Sequence, residues 1–252
     1  MKKNILIATV SALLLAAVGL VCFFLFKEEP FTEPVPAEPS GMNVFVMDDR
    51  SMFVMGKAPL VVVNAETDGT VSEYMKLHFY KMPKDILLQT VSEATLNDLS
   101  VALSYFTEGT LTRVFVPSEQ AENEALTALL SQYGLTDAVV PVKYHDSFDS
   151  ADISFYRSNK KGDVMSLVFL HGEERILYAG DVVKSNDSYT CALIPQQFCG
   201  KSKFTASYLI CGSNRSDEVV ILNNDLAENE PFTSGITSIL SVGGEFYVFE
   251  EN

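Results

Sequence analysis

The sequence has little of what metal-dependent or nucleophilic catalysis needs. It contains three histidines, and no two of them stand in an HxH or HxxxH arrangement, where neighbouring imidazoles could hold one metal ion. No CxxC pair is present, which disfavours a structural zinc site. A GxSxG turn, which would expose a nucleophilic serine, is also missing, and no glycine-rich loop leads into a helix to bind phosphate. The sequence therefore predicts none of these common catalytic or phosphate-binding sites.

The three histidines are better explained as ordinary polar residues. His78 precedes a predicted strand, and His171 lies at a predicted hairpin turn. Unclustered histidines are usually solvated in loops or simply hydrogen-bonded. His145, which is followed by Asp146, is the one histidine that we would test as an alternative metal ligand.

Positive charge is also scarce. The formal net charge is −15, and an acidic domain repels phosphate backbones, so nonspecific binding of nucleic acid is disfavoured. The densest basic cluster, Lys160 and Lys161 with Arg157, is interpreted as an ordinary hairpin loop. The four cysteines are Cys22, Cys191, Cys199 and Cys211; we expect buried small hydrophobic residues with at most one disulfide.

The longest uncharged apolar run predicts a membrane anchor. Residues 5–26 carry no charge, and at about 1.5 Å per residue they reach about 33 Å, enough to cross a bilayer core of about 30 Å. Lys2 and Lys3 precede the run, so the positive-inside rule places the C-terminal part outside the cytoplasm. Cleavage as a signal peptide near Ala17-Val18-Gly19 is the alternative, but it would leave an apolar stub.

Three regions follow from this pattern. Residues 1–27 form a predicted single-pass anchor in the plasma membrane, and residues 28–42 a proline-rich, extended linker. Residues 43–252 are long enough for one globular domain.

The domain is predicted to contain more strands than helices. Continuous apolar runs or alternation predict strands at 43–47, 51–56, 59–66, 85–89, 112–117, 137–142, 151–157, 164–172, 174–181, 191–195, 218–224 and 245–250. Helical spacing predicts a helix that starts near Thr95, another from Ser118 to Gly134, a third over 202–212 and a short one over 233–244. The strands come in two groups, each with its own helices, which favours two packed sheets with helices outside, an αββα sandwich.

Two segments at the ends of predicted strands are candidates for a functional site. The stretch LLQTVSEATLNDL, 87–99, is a strand that runs into a helix N-terminus, the place where many α/β enzymes carry their chemistry. Asp181 ends the apolar strand RILYAGD; a functional carboxylate and a structural Asp that caps a turn explain it equally well.

Taken together, these segments resemble the metallo-β-lactamase fold, specifically the hydrolase-like domain of bacterial competence channel proteins. The family's first hairpin turn is matched by MDDRS, and its IDGG strand by VVVNAE, with Asn64 and Glu66 at the acid and glycine positions. The signature THPHEDHIGGL aligns with 89–99, QTVSEATLNDL. LLTGD is matched by LYAGD, and PHHGS falls on 195–199, PQQFC.

The resemblance implies a site whose metal ligands are replaced. The family's ligand positions in the signature fall on Thr90, Ser92, Ala94 and Thr95, and Asp181 occupies the position of its bridging aspartate. One carboxylate cannot hold two metal ions about 3.5–4 Å apart. The residues expected to line the degenerate pocket are Thr90, Ser92, Thr95, Asp181, Gln196 and Gln197.

Two functions follow from this resemblance. The favoured one is a non-catalytic binding or scaffold module of the cell envelope, with no metal or other cofactor and a protein partner, anchored through residues 5–26. The alternative is a metal-dependent hydrolase with a noncanonical site that uses Asp181 with His145 or Glu93. DNA handling by analogy with competence proteins rests on the fold alone, and the acidic charge speaks against it.

Overall fold

The computed structural model describes the following residues: 42–46, 52–55, 58–64, 71–72, 75–76, 79, 81–106, 109–199, 201–211, 218–220, 229–231, 236–242 and 245–251. The predicted anchor, most of the linker, the MDDRS turn, Glu66 and His78 lie outside these residues. No helix within the described residues is long and apolar enough to cross a membrane.

Among the described residues, the first sheet has eight strands in the order β16-β15-β1-β2-β3-β4-β5-β6. Its strands are β1 Met42–Val46, β2 Met52–Met55, β3 Pro59–Val63, β4 Asp85–Leu88, β5 Arg113–Pro117, β6 Val139–Val142, β15 Ile236–Val242 and β16 Glu245–Glu251. The predicted first hairpin is present, since β1 and β2 are antiparallel. Strands β3 to β6 are parallel, so their carboxyl ends meet at one edge of the sheet.

The second sheet also has eight strands within the described part of the chain, in the order β14-β13-β12-β11-β10-β9-β8-β7. Its strands are β7 Ser147–Ser150, β8 Ile153–Arg157, β9 Leu167–His171, β10 Glu174–Tyr178, β11 Lys184–Ile194, β12 Lys203–Cys211, β13 Glu218–Val220 and β14 Asn229–Pro231. The predicted meander is β8-β9-β10, whose neighbours are antiparallel.

The continuous apolar strands are buried on both faces. Leu60 and Leu87 point between the sheets, into a core that includes Phe155 and Phe169 of the second sheet. Their neighbours Val61 and Ile86 point outward, into a second core closed by the helices α1, Glu93–Tyr105, and α2, Glu124–Gln132. A strand with apolar partners on both sides has no position for an alternating polar residue, which explains the unbroken apolar runs.

Capping residues mark the ends of α1 and α2. Ser92 caps α1 and forms a capping box with Thr95, so α1 starts two residues before the predicted Thr95. Asn123 caps α2 by accepting the Leu126 N–H. Ser118–Gln120, predicted as the start of this helix, is a separate 3₁₀ turn. Gly134 follows α2 with a φ of 69°, the left-handed C-terminal position that glycine favours.

Two helix predictions in the last third of the domain are wrong. The segment predicted as a helix over 202–212 is the strand β12, which pairs in parallel with β11 along most of its length. The segment predicted as a short helix over 233–244 contains β15, which lies between β1 and β16. Both carry β-branched residues such as Thr205 and Ile239, and pairing with two neighbouring strands outweighs a local helical spacing. Sequence analysis also missed the four-residue strand β7.

A buried polar cluster joins the two sheets at the edge where β4 and β5 begin. The Asp85 carboxylate accepts hydrogen bonds from Arg113 at 2.8 and 2.6 Å and from the Ser150 hydroxyl at 2.7 Å. Arg113 also donates to the Asp149 carbonyl at 2.8 Å. Because Asp85 belongs to the first sheet and Ser150 to the second, this cluster fixes one edge of the sandwich.

Cys191 is free and completely buried in the core between the sheets. Burial raises the pKa of its thiol to about 12, because an apolar environment disfavours the thiolate. The prediction of a buried, hydrophobic cysteine is confirmed for this residue.

Candidate functional site

The site is built from the loop that follows β4 at the carboxyl edge of the first sheet. Gln89, the first residue of this loop, is buried, and its side-chain Nε2 donates to the Met165 carbonyl at 2.8 Å. The Met165 N–H donates in turn to the Gln89 carbonyl at 2.9 Å. Since Met165 leads into β9, this reciprocal pair connects the site loop of the first sheet to the second sheet.

Thr90 and Val91 are bonded by a residue that sequence analysis did not single out. The Oε1 of Gln120 accepts the Thr90 hydroxyl at 3.2 Å and the Val91 N–H at 2.7 Å. Gln120 lies in the 3₁₀ turn that follows β5, so parallel pairing of β4 and β5 brings it beside the loop. No local sequence pattern marks this glutamine; its position after the neighbouring parallel strand is the only signal.

Ser92 and Thr95 hold the end of the loop. The Thr95 hydroxyl donates to the Thr90 carbonyl at 3.0 Å and accepts the Ser92 N–H at 2.9 Å. The Ser92 hydroxyl accepts the Thr95 N–H at 3.3 Å. Thr95 is completely buried. The structure thus brings three predicted pocket residues together, and their hydroxyls are engaged with the protein itself.

Asp181 is not a buried member of this cluster. Its side chain is exposed, and its carboxylate accepts the N–H of the next residue, Val182, at 2.6 Å. Of the two explanations for this residue, the contact fits the structural one, an Asp that bonds to the following turn.

The two predicted glutamines begin a short helix after β11. This helix, α3, spans Gln196–Cys199, and Gln197 is exposed. No hydrogen bond between described residues connects Gln197 or Asp181 with Thr90, Ser92 or Thr95. By their described hydrogen bonds, the site candidates therefore divide into the bonded loop after β4 and the exposed residues Asp181 and Gln197.

The histidines do not form a common site. His171, expected to be solvated, is buried at the end of β9, with its Nε2 3.3 Å from the Asp152 carboxylate. Because β9 pairs with β10, the His171 side chain points into the interior. Its position near a predicted hairpin turn does not indicate this burial. His145 lies in the turn after β6, with its ring stacked on Tyr144 at a centroid distance of 3.7 Å. Within the described part of the chain, no group of three His, Cys, Asp or Glu side chains could hold a metal ion.

Arg157 is a further residue whose role sequence analysis missed. It was interpreted as part of a solvated basic loop, but its side chain is completely buried. Its Nη1 donates to Glu119 at 2.6 Å and to the Val142 carbonyl at 3.1 Å, and its Nη2 donates to the Gly162 carbonyl at 2.9 Å. Arg157 is the last residue of β8 in the second sheet. Glu119 follows β5, and Val142 is the last residue of β6, both in the first sheet. The guanidinium thus joins the two sheets beside the site loop.

Gly180 allows the two sides of this edge to approach closely. Its N–H donates to the Ser166 hydroxyl at 2.9 Å. A Cβ at this position would lie 2.6 Å from the Met165 carbonyl oxygen, so a side chain would force the backbone apart. Met165 also bonds Gln89. The AGD segment, 179–181, and the site loop therefore both contact Met165.

Comparison with known proteins shows the fold. No protein-family model matches the sequence, and no curated protein matches it. The metallo-β-lactamase fold protein YhfI from Bacillus subtilis is similar in structure, with a TM-score of 0.51, 9% sequence identity, and coverage of 69% of this chain and 87% of YhfI. The diiron β-hydroxylase CmlA from Streptomyces venezuelae is also matched, with a TM-score of 0.42, 14% identity, and coverage of 65% of this chain and 35% of CmlA.

The chain therefore has the metallo-β-lactamase fold, as its sequence segments predicted. At 9% identity the likeness to YhfI shows architecture and no more. The narrower resemblance to competence channel proteins stays a prediction.

Replacing Arg157 with Met should destabilise the protein by roughly 2–4 kcal/mol, because the carbonyls of Val142 and Gly162 lose a buried donor. Arg157→Lys should cost less because an ammonium keeps the charge, although it cannot reach Glu119, Val142 and Gly162 at once. Glu119→Gln should cost less than about 1 kcal/mol, because this half-exposed carboxylate retains water. Urea denaturation followed by circular dichroism measures all three. A loss below about 1 kcal/mol for Arg157→Met would contradict the role given to this side chain.

The Glu119–Arg157 contact should also make stability depend on pH. The hydrogen bond from Arg157 holds the pKa of Glu119 below its usual value of 4.5. A carboxyl whose pKa is lower in the folded state contributes stability above its unfolded pKa and loses that contribution as the pH falls through the folded pKa. The difference in the free energy of unfolding between the native protein and Glu119→Gln should therefore shrink below pH 4.5. In an Arg157→Met background, the same comparison should lose this pH dependence.

Proposed function

We propose that this chain is a non-catalytic binding or scaffold domain of the cell envelope, held outside the cytoplasm by the segment 5–26. The observation that carries the proposal is the bonding of the loop 89–95. The Gln89 side-chain amide and the hydroxyls of Thr90, Ser92 and Thr95 each bond a partner within the protein, so the loop is arranged as a structural joint between the sheets.

The metal ions that the fold family implies do not fit these residues. At the family's ligand positions stand Thr90, Ser92 and Thr95, whose hydroxyls are poor ligands for zinc at neutral pH. Two of them, Thr90 and Thr95, are buried and used in hydrogen bonds. To coordinate a metal, these side chains would have to give up bonds that stabilise a buried loop, and the exposed Asp181 supplies one carboxylate. We therefore derive no hydrolytic step for this domain.

A hydrolase with a noncanonical site has less support. It would need Asp181 to act with His145 or Glu93. Asp181 is bonded to its own backbone neighbour, His145 is stacked on Tyr144, and Glu93 is exposed in the first turn of α1. The described contacts connect none of the three with another. Measurement of the metal content of the protein tests this alternative.

The metal content of the purified full-length protein, produced with zinc and manganese supplied, tests this proposal. We expect far less than one metal ion per chain by elemental mass spectrometry, and no change in melting temperature on treatment with a chelator. Asp181→Ala is the matched variant and should behave as the native protein does. One or two metal ions per chain that disappear in Asp181→Ala would contradict the proposal and support the hydrolase.

The proposed location has a separate test. Residues 43–252 should be digested by a protease added to intact spheroplasts of a bacterial host, while a cytoplasmic control protein survives until lysis. The mass of the isolated protein then distinguishes a retained anchor from cleavage near Gly19. Protection of the domain until lysis would place it in the cytoplasm and exclude a role in the envelope.

A further inference from the structure

The two large hydrophobic side chains that are exposed among the described residues lie at one end of the domain. Tyr105 is 51% exposed and Tyr133 is 40% exposed. Tyr105 is the last residue of α1, which connects β4 to β5, and Tyr133 follows α2, which connects β5 to β6. A helix that connects two parallel strands returns the chain to the edge where the next strand begins. Both tyrosines therefore lie at the amino edge of the first sheet, opposite the loop 89–95.

Positive charge is concentrated beside Tyr105. The Lys76 ammonium lies over the Tyr105 ring, 5.4 Å from its centroid. Lys81 and Lys84 are exposed in the segment before β4. A Cβ at Gly109 would lie 3.2 Å from the Lys81 Cβ, so the segment after α1 packs against the segment before β4. The phenol ring and the three ammonium groups thus share one surface, the amino-edge patch, which consists of Lys76, Lys81, Lys84 and Tyr105.

The patch is positive in a chain whose formal net charge is −15. The Asp85 carboxylate beside it is bonded by Arg113 at 2.6 Å. The exposed carboxylates described at this end lie before β6 and on the second sheet, at Asp137, Asp149 and Glu173. A negatively charged partner is therefore attracted to the patch and repelled by the rest of this end, which favours one orientation.

The chain enters the domain at the same edge. β1 begins at Met42; Asn43 pairs with Met55 of β2, and Met55 pairs with Pro59, the first residue of β3. Two strands separate β1 from β4. With about 4.8 Å between neighbouring strands, the start of β1 lies about 14 Å from the start of β4. The predicted linker 28–42 therefore joins the domain at the edge that carries the patch.

We propose that the amino-edge patch is a membrane-contact surface that binds anionic phospholipid headgroups. Lysine binds phosphate as a point charge, and tyrosine, which has an apolar ring and a polar hydroxyl, is enriched where a membrane meets water. This inference rests on the membrane anchor of the proposed function and deepens it. Because the anchor keeps the domain close to the bilayer, a few weak contacts are enough to orient it. The loop 89–95, at the opposite edge, then faces away from the lipid.

The chain contains no tryptophan, which allows a direct test with a single fluorescent reporter. Tyr105→Trp places the reporter in the patch of the full-length protein, which is reconstituted into phosphatidylcholine vesicles with or without phosphatidylglycerol. Lipids whose acyl chains carry bromine near the headgroup serve as quenchers. We expect at least about twofold quenching in vesicles with phosphatidylglycerol, and less as salt is raised. Ala125→Trp, an exposed position in the first turn of α2 at the opposite edge, is the matched reporter and should stay unquenched.

Charge variants test the part played by the lysines. In the Tyr105→Trp protein, Lys81→Gln combined with Lys84→Gln should remove most of the quenching, because two of the three ammonium groups of the patch are lost. Lys143→Gln combined with Lys161→Gln removes the same charge from exposed positions at the carboxyl edge and should leave the quenching unchanged. The melting temperature should be equal in both double variants, since all four side chains are exposed.

Equal quenching of the two reporters, or equal quenching of the Tyr105→Trp reporter in neutral and anionic vesicles, would overturn the proposal. Flotation of the vesicles after a carbonate wash separates this result from a failure of the anchor. If the anchor prediction is wrong, the protein is lost from the floated vesicles, which contradicts both the anchor and the contact surface. If the contact surface alone is wrong, the protein floats and the reporter in the patch stays unquenched.

Discussion

The reciprocal pair between Gln89 and Met165 is the contact on which the carboxyl edge of the sandwich depends. Two eight-stranded sheets pack through apolar side chains, and apolar packing has no direction that could fix one sheet against the other. The Gln89–Met165 bonds are directional and buried, so an error in sheet register would leave donors and acceptors without partners. The Gln120 bonds to the same loop and the Arg157 contacts beside it add to this constraint.

The same edge carries the chemistry in other proteins of open α/β architecture, where loops at strand ends are free to bind ligands. Here the loop after β4 is used to join two sheets. Gln89 bonds across to the second sheet, Thr90 bonds Gln120 of the turn after β5, and Thr95 bonds within the loop. The stability of this joint is therefore a constraint on these positions, which agrees with the proposed scaffold role.

The strands and the site loop could be predicted from the sequence to different degrees. Buried parallel strands such as Pro59–Val63 show themselves as unbroken apolar runs, and Ser92 marks the start of α1 as a capping residue. The segments of β12 and β15 were predicted as helices because a short apolar run fits both the helical and the strand period. The neighbouring strands whose pairing favours the strand are distant in sequence. The partners Gln120 and Arg157 were missed for the same reason, since their roles come from tertiary pairing. Burial also reversed the expectation for His171, because no local pattern encodes it.

The bonding of Thr90 to Gln120, and of Thr95 back to Thr90, has a consequence for how this protein can change over evolutionary time. Replacing the Thr90 hydroxyl would remove its bond to Gln120, although the Gln120 Oε1 would keep the Val91 N–H. The effects of substitutions at such neighbouring sites on stability are not additive. We therefore expect replacements at positions 90 and 120 to be correlated among related sequences, because a change at one position alters the hydrogen bonding of the other.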